Sequence, residues 1–179
     1  ARVGCGFITW SMARDPKLLD QALARRPAAV MLSFGEVQPH AARIKAQGVP
    51  LICQVQGMKY LREAVDAGAD IVVAEGCEAG GHSGYRGVFT LVPEAADYLA
   101  KRSPDTLLLA AGGVGDGRGL AAALMLGADG VLVGTRFVAS EESEAPEGIR
   151  RAIIRADGDA TLKSRSIDVV RQRYWPNHE

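Results

Sequence analysis

The sequence predicts a parallel α/β fold. Three observations point there: six short β-branched or apolar runs bounded by glycine, Ala/Leu-rich stretches between them with apolar residues at helical spacing, and a unit that occurs twice. The strand candidates are 2–9, 29–33, 51–55, 71–74, 107–111 and 130–133. The helix candidates between them are 16–25, 39–47, 58–67, 93–101 and 117–126. Asp15-Pro16 and Gln38-Pro39 each put a proline where the first turn of a helix tolerates its missing donor.

The repeated unit is Ala67-Gly68-Ala69-Asp70 before IVVAEG and Leu126-Gly127-Ala128-Asp129 before GVLVGT. In each copy the glycine suits the left-handed position that ends a helix, and the aspartate opens a buried strand. Strand starts recur at intervals of about 20 to 36 residues, whereas an eight-unit barrel takes about 250 residues. Six units therefore fit either an open doubly wound sheet or part of a barrel without its first units. From Ser140 onward the chain reads as an addition to residues 1–139: Glu141, Glu142, Glu144 and Glu147 surround Pro146, a helix is expected over 147–156, and a mixed stretch ends in Tyr174-Trp175-Pro176.

Composition narrows the function classes. The 21 Lys and Arg cancel the 21 Asp and Glu, so no summed positive field draws a nucleic acid or an anionic membrane surface. No apolar run approaches the roughly 18 residues a membrane helix needs, and no signal peptide is read before Gly4. Cys5, Cys53 and Cys77 are odd in number and lack CxxC spacing, so neither a disulfide framework nor a metal site is expected and a reducing cytoplasm fits.

Two glycine-rich corners follow strand candidates: Gly112-Gly113-Val114-Gly115-Asp116-Gly117-Arg118-Gly119 after 107–111, and Gly134-Thr135-Arg136-Phe137 after 130–133. Amides without a Cβ let a phosphate approach, and the start of the 117–126 helix is expected to add favourable charge. On adjacent strands of a parallel barrel such corners make a phosphate site; taken singly, they are ordinary βα turns. GVGDGRG lacks the spacing and the distal acid of a dinucleotide fingerprint.

The third constellation is Glu75-Gly76-Cys77-Glu78-Ala79-Gly80-Gly81-His82-Ser83-Gly84, directly after strand 71–74. Strand ends are where catalytic groups project, and glycines beside a histidine leave room for a flat ligand next to an imidazole that exchanges protons near neutral pH. His40 falls in a predicted helix and His178 near the C-terminal end of the sequence, so His82 is the candidate. Gln54 and Gln56 alternate along one strand and so share a face, where a ligand or an internal network would satisfy their amides. Cys77 reads as a packing residue, and Glu75 and Glu78 as solvated or ligand-facing carboxylates rather than a metal pair.

Through GCGFITW, PAAVMLSFG, GVPLICQVQ, ADIVVAEGCEAGGHSG, LLLAAGGVGDGRGLAAALMLGADGVLVGTRF and RSIDVVRQRYWP, the chain resembles the nitronate monooxygenases. These are flavin mononucleotide (FMN) enzymes on a (β/α)8 TIM barrel. The resemblance implies that the barrel's first two strands have no counterpart among these residues. It also implies His82 as the catalytic residue and Gln54, Glu75, Ala79, Gly80, Ala111, Gly112, Gly113, Gly134 and Thr135 as cofactor-binding residues, with no metal. The substrates implied are an alkyl nitronate and dioxygen, the products a carbonyl compound and nitrite; a homodimer is left open. Flavin-dependent enoyl-acyl-carrier-protein reductases share the EAGGH-like loop and the GTRF turn and are the alternative. A non-catalytic phosphate-ligand binder is the alternative from another class.

Overall fold

A computed structural model describes residues 2–172 and Trp175. Six strands, β1 (Cys5–Ile8), β2 (Val30–Ser33), β3 (Leu51–Val55), β4 (Ile71–Glu75), β5 (Leu107–Ala111) and β6 (Gly130–Leu132), form one sheet in the order of the chain, every neighbouring pair parallel. The order decides between the two architectures left open by the sequence. A doubly wound sheet reverses direction at a switch point, which places helices on both faces. Here each crossover advances by one strand, and crossovers of one hand then put every helix on the same face. These are consecutive units of a βα barrel.

The intervening helices are α1 (Thr9–Met12), α2 (Lys17–Ala24), α3 (Gln38–Ala46), α4 (Met58–Asp66), α5 (Val88–Arg102) and α6 (Gly117–Met125). α3 and α4 pack on β3, α5 on β4 and β5, and α6 on β6. The strand residues facing them, Val30, Leu32, Leu51, Cys53, Val55, Val72, Ala74, Leu108 and Ala110, are buried in one continuous core with Ile44, Leu61, Leu91 and Leu99 of the helices. Burial pushes the Cys53 thiol up to about 12, so this cysteine is an inert packing group. The alternate strand residues, Ile52, Gln54, Val73, Glu75 and Leu109 among them, line the opposite face, the interior side of the barrel.

Both repeat copies use their aspartate alike. Asp70 Oδ2 accepts from the Leu51 amide at 2.8 Å, and Asp129 Oδ2 accepts from the Leu108 amide at 2.7 Å. Each carboxylate thus ties the start of its strand to the strand before it, and Gly68 (φ +76°) and Gly127 (φ +95°) hold the left-handed turns expected of them.

Several expected boundaries move. The first strand, expected over 2–9, begins at Cys5 and ends at Ile8, because Thr9 turns into α1 where Gly35 lets two backbones meet: a Cβ on Gly35 would lie 2.9 Å from the Trp10 nitrogen. The helix expected at 93–101 starts five residues earlier, with Pro93 inside it. Its first amide, Val88 N–H, is capped by the Glu78 carboxylate from the preceding loop, both oxygens at 3.0 Å, so a distant residue supplies the cap that the local sequence lacks. Glu75, expected just past its strand, is the last residue of β4 and pairs with Ala111. After β6, Thr135 opens a short helix, α7 (Thr135–Val138). Beyond it lie α8 (Glu147–Arg155), one turn of 3-10 helix (Gly158–Ala160) and α9 (Ser166–Val170), with no strand among the described residues. Among the described residues, no helix is long and apolar enough to cross a membrane.

Candidate active site

Parallel strands end together, so the loops after β4, β5 and β6 open on one end of the sheet. The glycine contacts show how tightly they converge. A Cβ on Gly112 (φ +108°) would lie 2.9 Å from the Ala79 nitrogen and 3.1 Å from the Gly76 carbonyl oxygen, and one on Gly80 would collide with the Thr135 hydroxyl. Gly113 (φ +71°) lies against the Glu78 side chain. Ala79, Gly80, Gly112, Gly113 and Thr135 are therefore neighbours, and glycine is required where another loop's backbone occupies the side-chain position. Gly134 faces open space, with nothing within 4 Å of an added Cβ.

At the start of α6, Asp116 caps the helix, accepting from the Arg118 amide at 2.9 Å and from the Arg118 guanidinium at 2.6 Å. The helix end already holds an anion.

Toward the barrel interior, Glu75 ends β4 almost fully buried, and its Oε2 accepts from Gln54 Nε2 at 2.9 Å and Gln56 Nε2 at 3.0 Å. Burial raises the Glu75 carboxyl above the ordinary carboxylate range, against the opposing pull of the two glutamine bonds and the Lys163 charge. The two glutamines do share a face, and they meet a protein carboxylate there. Gln56 Oε1 remains a buried acceptor with no partner among the described residues.

His82 lies in the loop after β4, and its ring is surrounded. The Nε2 is 2.9 Å from both carboxylate oxygens of Asp168, Trp175 stacks on the ring at 3.5 Å and 17°, and Phe34 meets it edge-on at 6.4 Å. Trp175 is in turn wedged edge-on between Trp10 and Phe34. Lys163 completes the contact, donating to the Cys77 carbonyl at 2.9 Å and to the Ser83 hydroxyl. The 77–83 loop is thus held by three residues of the C-terminal segment. Sequence reasoning assigned none of them a role: Asp168 lies 86 residues from His82, and no local spacing joins the two. Among the described residues, no group of three His, Cys, Asp or Glu could hold a metal ion.

The nitronate monooxygenase family profile matches residues 8–177, nearly the whole chain. The chain belongs to the nitronate monooxygenase family. A nitronate monooxygenase of Neurospora crassa is 37% identical over 175 residues, covering 94% of this chain and 44% of its own length. FabK from Thermotoga maritima superposes with a TM-score of 0.79 at 35% identity, covering 86% of this chain and 48% of FabK. A nitroalkane oxidase from Streptomyces ansochromogenes superposes at 0.67 with 32% identity, covering 75% and 41%. The chain spans about half the length of the relatives it matches, and its six units occupy part of the (β/α)8 barrel of this nitronate monooxygenase family.

Proposed function

We propose that this chain carries the FMN- and substrate-facing side of an enzyme that oxidises alkyl nitronates with dioxygen, giving a carbonyl compound and nitrite. The observation that carries the reading is the meeting of three glycine corners beside one histidine at the same end of the barrel. Gly112 and Gly113 on one strand end, and Gly134 and Thr135 on the next, would hold the phosphate through backbone amides that no Cβ screens. Gln54, Glu75, Ala79, Gly80 and Ala111 would border the ring and ribityl chain. The buried, unpartnered Gln56 Oε1 suits a ring N–H, and the open space at Gly134 suits an anion, so the residues present fit the group. When bound, the flavin supplies the redox chemistry with dioxygen.

The protein's own task is to bind, orient and move protons. His82 would bind the nitronate's two-oxygen anion when protonated, or take the α-proton of a neutral nitroalkane when not. Phe34 and Trp175 would wall the imidazole with aromatic surface, with Trp10 packed edge-on behind Trp175, and limit water on that side. The setting we propose is a reducing cytoplasm, where the buried Cys53 stays a thiol.

The test is His82→Asn in the intact protein. We expect the variant to keep its yellow flavin and to lose nitrite release from a small alkyl nitronate by roughly 100-fold or more. Unchanged turnover would remove His82 from the chemistry. Rapid bleaching of the parent flavin by NAD(P)H, with no nitrite from nitronates, would replace the reading with a thioester reductase.

A further inference from the structure

We propose that Asp168 is a positioning residue for His82, fixing the tautomer and the plane of its imidazole; the inference rests on the reading of His82 above. The glycines around His82 place little local constraint on its ring. Gly80 and Gly81 precede it and Gly84 follows, with Gly81 in the left-handed region at φ +81°, so the loop backbone has a wide choice of conformation. The orientation comes from outside the loop. Asp168, the third residue of α9, places both carboxylate oxygens 2.9 Å from Nε2. The pair is shielded, with 29% of the histidine side chain and 20% of the aspartate side chain exposed.

Against an ionised carboxylate, which only accepts, Nε2 would carry the proton and leave the ring's lone pair on Nδ1. When the ring takes up a second proton, Asp168 is already in place as counter-charge. Histidines that exchange protons or bind metals commonly gain orientation from such a partner. Two further contacts support the pair. Trp175 stacks on the ring at 3.5 Å, and Lys163, five residues before Asp168, ties the segment that carries the carboxylate to the Cys77 carbonyl and the Ser83 hydroxyl. The 163–168 stretch therefore grips both ends of the loop that carries His82.

The test uses the intact, flavin-loaded protein with Asp168→Ala, Asp168→Asn and Asp168→Glu. Removing the carboxylate is expected to lower kcat by about 10- to 100-fold with little change in KM, and the glutamate variant to recover part of the loss. The independent readout is the 15N–1H correlation pattern of the His82 ring. The parent should show the proton on Nε2, and the alanine variant should lose that preference. Asp168→Asn, isosteric with the parent, carries the kinetic test should the alanine variant not fold; its amide can donate to Nε2 and select the opposite tautomer.

An unchanged kcat, or an unchanged ring pattern in Asp168→Ala, would overturn the proposal. So would a fall in KM with a rise in kcat, which would mean that the carboxylate occupies the nitronate's own place against Nε2. The two readings fail separately. Loss of turnover in His82→Asn beside a silent Asp168→Ala would sink only the positioning role. Full turnover in His82→Asn would sink the role of His82 in the reaction, and the ring pattern would still report on the pair.

Discussion

Glu75 Oε2 receives the side-chain amides of both Gln54 and Gln56, so one buried carboxylate oxygen organises two strand ends on the interior face. The arrangement works against ionisation. Burial raises the Glu75 carboxyl, and a group whose folded-state value lies above its unfolded value loses stability as pH climbs from the ordinary carboxylate range through that raised value. Glu75→Gln removes the charge and keeps an acceptor for the glutamines. We expect its melting temperature to gain on the parent as pH rises from about 4 to 7.5, the difference vanishing at the acid end. Thermal melts across that range check the sign, and a constant gap would show that ionisation of Glu75 costs nothing.

Gly112 and Gly115 sit three residues apart in one corner and should respond oppositely to alanine. At Gly112 the φ of +108° disfavours any side chain, and the added Cβ would press on the Ala79 nitrogen and the Gly76 carbonyl, backbone atoms that cannot swing aside. Gly112→Ala is expected to cost about 1 to 3 kcal/mol and to displace the 76–80 loop, weakening flavin retention. At Gly115 nothing lies within 4 Å, so its alanine variant should stay within about 0.5 kcal/mol of the parent. Denaturant titrations of the pair, with flavin content measured alongside, distinguish a steric requirement from a general intolerance of this loop.

The contrast between these two glycines also marks how far the sequence could be read. Short apolar runs bounded by glycine, set between stretches of helical spacing, located all six strands, because strands covered by helices bury most of their residues, as Val72, Val73 and Ala74 do. The positions of the glycine corners and of His82 were legible for a related reason: a residue just past a strand end is placed by the strand that precedes it. What the sequence concealed is contact between distant segments. The cap that Glu78 gives Val88 moved the start of α5 away from Pro93, and Lys163, Asp168 and Trp175 reach the His82 loop from about 80 to 90 residues on, with no periodicity to announce them. Gln54 and Gln56 were assigned a shared face, yet their common partner was not read from the sequence, because pairing β3 with β4 in register is what brings Glu75 beneath them.

That long-range cap yields a prediction of its own. Glu78→Ala removes the acceptor of the first α5 amide and should cost about 1 kcal/mol. The loss should be local. Faster hydrogen exchange at the Val88 amide and in the first turn of α5, with the end of the helix unchanged, is the expected pattern. Equal acceleration along the whole helix would mean that Glu78 supports the loop rather than the helix end.

Asp70 offers the opposite pH dependence to Glu75. Its burial raises the carboxyl, but the Leu51 amide at 2.8 Å and Lys45 at 3.0 Å together outweigh this and hold it below the ordinary range. A lowered folded-state value contributes stability above the unfolded carboxylate value and loses it as pH falls through the lowered one. Asp70→Ala should therefore cost about 1 to 2 kcal/mol at neutral pH, from the lost strand tie and its charge-assisted bond. The Lys45 pair is half exposed and adds little to this figure. As pH falls below about 4 the parent's own Asp70 becomes protonated, and the gap between parent and variant should narrow. Chemical denaturation at pH 7 and at the lowest pH the fold tolerates measures both limits, and a gap that widens on acidification would refute the assignment of the tie to the ionised carboxylate.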